Sequence, residues 1–411
     1  MPTLSRKDAD AVRILQDVSA GIGYFLEIRV NHEIESNQMT IVENLTKMEV
    51  AALTDVDGSL NLTDGHARLP LTSRQAEIIR RFPELFHEAS QRRFADIETE
   101  AHRTFLDTIG QYTAPVGTGR ILSCYSSTLA TDIVARALPR GTRVALLHPT
   151  FDNIADLFRT RGLILEPLSE HALLGKQWPS APVDVIAITN PNNPTGMVTS
   201  PEHLRSLAEH AAREGQTVIV DAAFRGQVRD AQYDTYEILD AAGADWITFE
   251  DTGKLWPMHE MKIGMLCFSH RHAESIESAF AESLLSASPA VLLLMRELAL
   301  DWRNGGYEEA NALIEHNRQL VAAETGKVNL NLADPTSQIS VARIKLPPDG
   351  PDSVLLYREM VKRGIHVLPC PPFHWAHPEE GLRLIRMSLA RPSDAVEAAA
   401  RSLAETYAEM A

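Results

Sequence analysis

Lys254 stands in Glu250-Asp251-Thr252-Gly253-Lys254-Leu255-Trp256-Pro257, a polar, glycine-containing break after the strand-forming run Trp246-Ile247-Thr248-Phe249. A sheet presents side chains at the carboxyl ends of its strands in this way. In apolar surroundings a lysine there loses its proton, and a neutral amine forms an imine with an aldehyde. Alone, a lysine after a strand is more often a solvated surface charge. Asp221 closes another apolar run, 217–220, where a carboxylate set against a pyridine nitrogen would keep that nitrogen protonated, or would merely cap the next turn. Asn190-Pro191-Asn192-Asn193-Pro194-Thr195-Gly196 is a turn of φ-restricting residues after a further strand, with Asn193 28 residues before Asp221.

Three more stretches add functional groups. Ser123-Cys124-Tyr125-Ser126-Ser127-Thr128 joins a strand to a helix, so Ser126 and Ser127 bring hydroxyls and backbone N–H groups to a helix N-terminus suited to phosphate; an ordinary N-cap is the plainer reading. His148-Pro149-Thr150-Phe151-Asp152 offers Phe151 as an aromatic cover for a planar ring, or as core. Arg386 lies inside the apolar run Leu384-Ile385-Arg386-Met387-Ser388, where it needs an anion: an α-carboxylate, or an internal ion pair. Together these are the parts of a pyridoxal 5′-phosphate (PLP) site, with Asn193 donating to the phenolic oxygen.

The elements that must position these groups follow from alternation. Strands are expected over 120–124, 143–147, 163–167, 183–189, 217–221, 246–250 and 263–268, with helices over 129–138, 154–161 and 201–214 between them. That pattern predicts an α/β fold with a mostly parallel seven-stranded sheet between helices. Residues 73–109 read as helical with a break at Pro83, and 273–325 as one long helical region ended by Gly326. Strands near 339–344 and 384–388, with helices at 352–363 and 392–411, predict a smaller α+β domain. Residues 4–35 read as an amphipathic arm, and Asn44-Leu45-Thr46-Lys47-Met48-Glu49 as a short helix capped by Thr46.

Composition narrows the class. The chain has 411 residues, 44% of them hydrophobic, and a formal net charge of −16, which argues against a nucleic-acid backbone or an anionic membrane as partner. Three widely separated cysteines, without Cys-x-x-Cys or a histidine cluster at ligand spacing, fit a reducing, cytoplasmic setting and name no metal site. No secretory signal core, membrane span or flavin or haem motif is visible.

The spacing of Asn193, Asp221, Lys254 and Arg386 resembles the fold-type I, class I/II aminotransferase family of PLP enzymes from about residue 40 onward. The resemblance implies that Lys254 holds the cofactor covalently and moves the substrate proton, that Lys262 binds phosphate where the family usually has Arg, and that the enzyme is a homodimer. Two departures matter. Asp251 replaces the common phosphate-binding Ser, would repel phosphate, and is expected to face a cationic substrate; Phe224 replaces a Tyr that donates to the cofactor oxygen.

A narrower resemblance rests on Glu250-Asp-Thr-Gly-Lys-Leu-Trp-Pro, His148-Pro-Thr-Phe-Asp-Asn-Ile-Ala-Asp, Asp64-Gly-His-Ala-Arg and Asn44-Leu-Thr-x-x-Glu49. These are similar to the PLP-dependent, O2-consuming L-arginine oxidases and hydroxylases of natural-product pathways. It implies that Glu49, Asp64 and Asp251 grip the guanidinium, with Thr46 and His66 on the same covering segment and His66 positioning water. Ala223 departs from it, removing a hydroxyl. The implied organisation is an arm at 1–40, a covering segment at 41–80, a large PLP-binding domain at 81–315 and a small domain at 316–411. The implied products are 4-hydroxy-2-oxoarginine, 2-oxoarginine or a dehydroarginine. An aminotransferase acting on a basic amino acid and an arginine cyclase or dehydratase are the alternatives.

Overall fold

The computed structural model describes residues 44–55, 58–179, 182–258 and 261–411; the arm expected at 1–40 lies outside the described residues. The centre is a seven-stranded sheet of β1 (Ile121–Cys124), β2 (Arg143–His148), β3 (Ile164–Ser169), β4 (Val185–Thr189), β5 (Thr217–Asp221), β6 (Asp245–Asp251) and β7 (Gly264–Phe268), in the order β1-β7-β6-β5-β4-β2-β3. Only β7 runs antiparallel to its neighbours. The middle strands are buried, β4 along its whole length and β5 up to Asp221, because helices cover both faces. Their alternation divides two cores: Ile186, Ile188, Val218 and Val220 join one cluster, Val185, Ala187, Ile219 and Phe249 the other.

All seven expected strands are present, displaced by a residue or two at their ends. The helical region 273–325 is not continuous. It forms Ala273–Ser283, Pro289–Asp301 and Glu308–Gly326, because Pro289 opens a new helix and Gly305, at φ +86°, turns the chain after Trp302. Gly326 is the last helical residue rather than the stop beyond it.

A second, antiparallel sheet of β8 (Asn331–Leu332), β9 (Val341–Lys345), β10 (Leu368–Pro369) and β11 (Leu384–Ser388) runs in the order β10-β11-β9-β8. Its core includes Ile344, Leu356, Ile385, Met387 and Leu403, from the strands and the helices Ser353–Lys362 and Ser393–Met410. Arg386 lies opposite Arg343 in this sheet, a like-charge pair made tolerable because Asp334 holds Arg343 with two bonds of 2.6 and 2.8 Å.

The covering segment ties into both cores. The helix Leu45–Leu53 is capped by Asn44, not Thr46: Asn44 is extended and its side chain accepts the Lys47 N–H at 3.0 Å, leaving Thr46 inside the first turn. The Leu45 N–H donates to Asp152 at 2.8 Å. Leu60–Asn61 then pairs in parallel with Ile365–His366, and Leu62 enters the second core. Among the described residues no helix is long and apolar enough to cross a membrane.

Candidate active site

The carboxyl ends of β4, β5 and β6 open into a cavity of about 330 Å³. Every residue singled out in the sequence lines it: Thr46, Glu49, Asp64, His66, Ser126, Ser127, Phe151, Asn193, Asp221, Asp251, Lys254, Lys262 and Arg386. That is the expected location for a ligand in an open α/β sheet. The partners of several side chains differ from expectation.

Asp221 and Lys254 sit on the ends of adjacent strands. The Ala223 N–H donates to Asp221 Oδ1 at 3.0 Å and fixes the carboxyl, which desolvation pushes up to about 6 against the weaker pull of the Lys254 ammonium. The Lys254 backbone carbonyl accepts from Gln227 at 2.7 Å, and its Nζ lies 5.7 Å from the Phe224 ring centroid. Phe224 packs on the covering segment: a Cβ at Gly65 would meet its ring at 3.0 Å, tighter than ordinary contact, so a side chain there would press on the ring. Asn193 Oδ1 accepts from Arg386 at 3.0 Å, which leaves the amide NH₂ as the donor for the cavity.

At the helix Ser127–Ala137, Ser126 is the N-cap and accepts the Leu129 N–H at 3.2 Å. Asp251 does not face the space expected for a cationic side chain. One of its oxygens takes the Ser127 N–H at 3.0 Å and the Ser127 hydroxyl at 3.1 Å, and the other takes the Gly253 N–H at 2.7 Å. A carboxylate is drawn to the positive end of a helix, so Asp251 lies where phosphate was expected. A phosphate that accepts the Ser127 N–H must displace it.

His66 bridges the two halves. Lys262, expected at phosphate, has its Nζ 3.1 Å from His66 Nε2; an ammonium has no lone pair, so Nε2 is the acceptor and Nδ1 carries the proton, 3.3 Å from Asp64. The Lys254 charge and then burial lower the His66 pKa, which keeps the ring neutral at pH 7. Asp64 itself is already saturated. Arg391 lies 3.1 Å and Arg68 3.2 Å from its oxygens. Burial raises the Asp64 carboxyl, but His66 and the two guanidinium groups outweigh this and hold it below the usual carboxylate range. Asp64 is a counter-ion to Arg391 and Arg68 and an anchor for His66, while it also lines the cavity in which its expected role on a substrate guanidinium would be played. Glu49 is less committed: its closest cation is Arg386 at 3.8 Å, and burial raises its carboxyl.

Arg386 is fully buried, bonded to Asn193 and to the Thr63 carbonyl, with its guanidinium 4.8 Å from the Phe373 ring centroid. Among the described residues its Nε has no partner. Arg391 is the main residue that sequence reasoning missed. It donates to the carbonyls of Asn61 at 2.8 Å and His66 at 2.9 Å as well as to Asp64, and so straps the covering segment to the second core. The only sequence signal was that an acid at 64 within a largely apolar surround requires a cation.

The donor set fits PLP. Lys254 supplies an amine, Asp221 a carboxylate for a ring nitrogen, Asn193 an amide donor for a phenolic oxygen, the Ser127 helix N-terminus a phosphate cradle, and Phe151 an aromatic wall. Comparison with known proteins agrees. Among solved structures, MppP soaked with the product 2-ketoarginine is 40% identical, with 84% of this chain and 99% of that chain aligned and a TM-score of 0.82. Aspartate aminotransferase from Thermus thermophilus with maleate, at 16% identity, 89% and 97% coverage and a TM-score of 0.72, shares the fold. A threonine-phosphate decarboxylase from Sinorhizobium sp is 23% identical over 48% of this chain, and an LL-diaminopimelate aminotransferase from Dehalococcoides mccartyi 25% over 58%. The chain spans 54% and 62% of the lengths of those two curated relatives. A family model described as aminotransferase class I and II matches residues 59–403, and the chain belongs to that family of PLP enzymes.

Proposed function

We propose that this enzyme oxidises L-arginine with O2 in a natural-product pathway. Simple oxidation consumes one O2 and one water per arginine and releases 2-oxoarginine, ammonia and hydrogen peroxide. Formation of 4-hydroxy-2-oxoarginine consumes two O2 and two waters and releases ammonia and two peroxides. The observation that carries this reading is the charge layout of one cavity: the buried Arg386 for a carboxylate, with Glu49 on the same cavity as the less committed acid for a cation. MppP, whose structure contains 2-ketoarginine as its product, supports the same reading.

Bound PLP supplies the ring that stores the electron pair of the substrate α C–H bond. The rest falls to the side chains. Arg386 takes the α-carboxylate as a planar fork, and Asn193, bonded to it, orients with it. Lys254 Nζ receives the α-proton, and Asp221 holds a proton on the ring nitrogen. Ser127 would hold the cofactor phosphate, and Asp251, released from the Ser127 N–H, would join Glu49 on the guanidinium. His66 would position water for the hydroxylating branch through Nε2 once Lys262, bonded there now, turned to the phosphate, while Thr46 and the Leu45–Leu53 helix close over the substrate. A homodimer and a cytoplasmic location belong to the same proposal.

An oxygen electrode with arginine and no oxo-acid acceptor tests it. Oxygen uptake with peroxide release is expected. Amination of added pyruvate or 2-oxoglutarate without oxygen uptake would instead establish an aminotransferase for a basic amino acid, and turnover of arginine without either would indicate a cyclase or dehydratase.

A further inference from the structure

The histidines and acid that the sequence scatters meet outside the active cavity. His148 ends β2, and His374, His377 and Glu380 follow the short helix Pro371–Phe373. His148 Nε2 lies 3.1 Å and His374 Nδ1 3.3 Å from the same Glu380 oxygen, and the three ligand atoms all lie within 4.8 Å of one another. Donors on a tetrahedral zinc sit about 3.3 Å apart. The His377 ring centroid lies 5.6 Å from that of His148, edge-on to it.

The backbone builds this cluster. The N–H groups of His374, His377 and Glu380 each bond the carbonyl three residues back, at 3.0, 3.0 and 3.1 Å. These successive turns fold the segment back so that Glu380 bonds both His148 and His374, and the rings of His374 and His377 both meet that of His148 edge-on. The segment is then held against the end of β2: Trp375 Nε1 donates to the Leu147 carbonyl at 2.9 Å, and the Thr150 N–H to the Phe373 carbonyl at 3.1 Å. His148 and His374 are buried while the Glu380 and His377 side chains are 54% and 53% exposed, which leaves an entry path from solvent.

We propose that His148, His374 and Glu380 bind one divalent transition-metal ion of the zinc class, with His377 or water as fourth ligand. Two imidazoles and one carboxylate match that class and not calcium or magnesium, which take all-oxygen sites. The ion would clamp the Cys370–Gly381 segment to β2. That segment carries Phe373, whose ring faces the Arg386 guanidinium and lies 6.2 Å from Phe151. A metal here therefore stiffens the wall of the carboxylate end of the cavity without touching the cavity chemistry.

The test uses untagged, PLP-loaded enzyme, stripped with EDTA, desalted and titrated with Co²⁺. One Co²⁺ per chain is expected, with visible d–d absorption that Zn²⁺ displaces and a raised Tm. Glu380→Gln, an exposed substitution that keeps the fold, and His374→Gln should each weaken Co²⁺ binding at least about tenfold. An unchanged PLP absorbance spectrum confirms that each variant is folded. Absence of stoichiometric Co²⁺ uptake at micromolar metal, or equal affinity in wild type and Glu380→Gln, would overturn the proposal. Neither outcome depends on which reaction the enzyme performs.

Discussion

The two halves of the cavity are built by different means. Asp221, Lys254 and Asn193 hang from strand ends, and their positions are set by a ladder of backbone bonds that continues through two buried cores. Glu49, Asp64 and His66 come from a short helix and an irregular loop, and are set by charge: Arg391 on Asp64, Arg68 beside it, Asp152 on the Leu45 N–H. Regular structure fixes a group whatever its charge state, whereas an ion-paired loop is fixed only while its charges remain. The first half thus suits groups that act on every turnover, the second groups that select.

Substitutions separate the halves. Lys254→Ala should abolish turnover of every amino acid, by at least about 10⁴-fold in kcat, together with the imine absorbance. Asp221→Asn should lower kcat about 10²- to 10³-fold with little change in arginine affinity, measured by single-turnover kinetics. Glu49→Gln should act on selection: kcat/KM for arginine falls about 10- to 100-fold while that for uncharged citrulline does not fall and should rise, since no buried charge is then left unpaired. Equal losses for both substrates would break the comparison. The smallest effect is thermodynamic. Burial pushes Asp152 up to about 7 in the folded chain, well above its ordinary value of 3.8. The folded state therefore holds the extra proton between about pH 4 and 7, and unfolding free energy falls as pH rises through that window. In urea titrations Asp152→Asn should flatten that slope.

The strand-borne half was legible in the sequence because apolar runs ending in Asp221, Asn190 and Asp251 mark where a parallel sheet exposes side chains. The charge-borne half was legible only as residue types. That Glu49, Asp64 and Asp251 are acids is plain, but which cation each meets depends on contacts across long sequence separations, such as Arg391 with Asp64. Asp251 shows the limit most directly. Its departure from the family's usual Ser implied a cationic ligand, while the fold turns it onto the N–H of Ser127, which no local pattern reports. The metal-type cluster was hidden for the same reason, since His148 and Glu380 belong to elements far apart in the chain.

Arg386 and Glu49, 3.8 Å apart, set a condition on entry. The buried guanidinium of Arg386 is met by an acid from the covering helix, so in the proposed function an amino-acid carboxylate would compete with Glu49 for it. When the newcomer wins, Glu49 is freed with no positive partner, and a ligand bearing a second cation satisfies it at once. A neutral amino acid leaves it stranded out of water. Under the proposed function, selection for a doubly charged guest would be an exchange of counter-ions, begun by the carboxylate and completed by the opposite end of the same molecule.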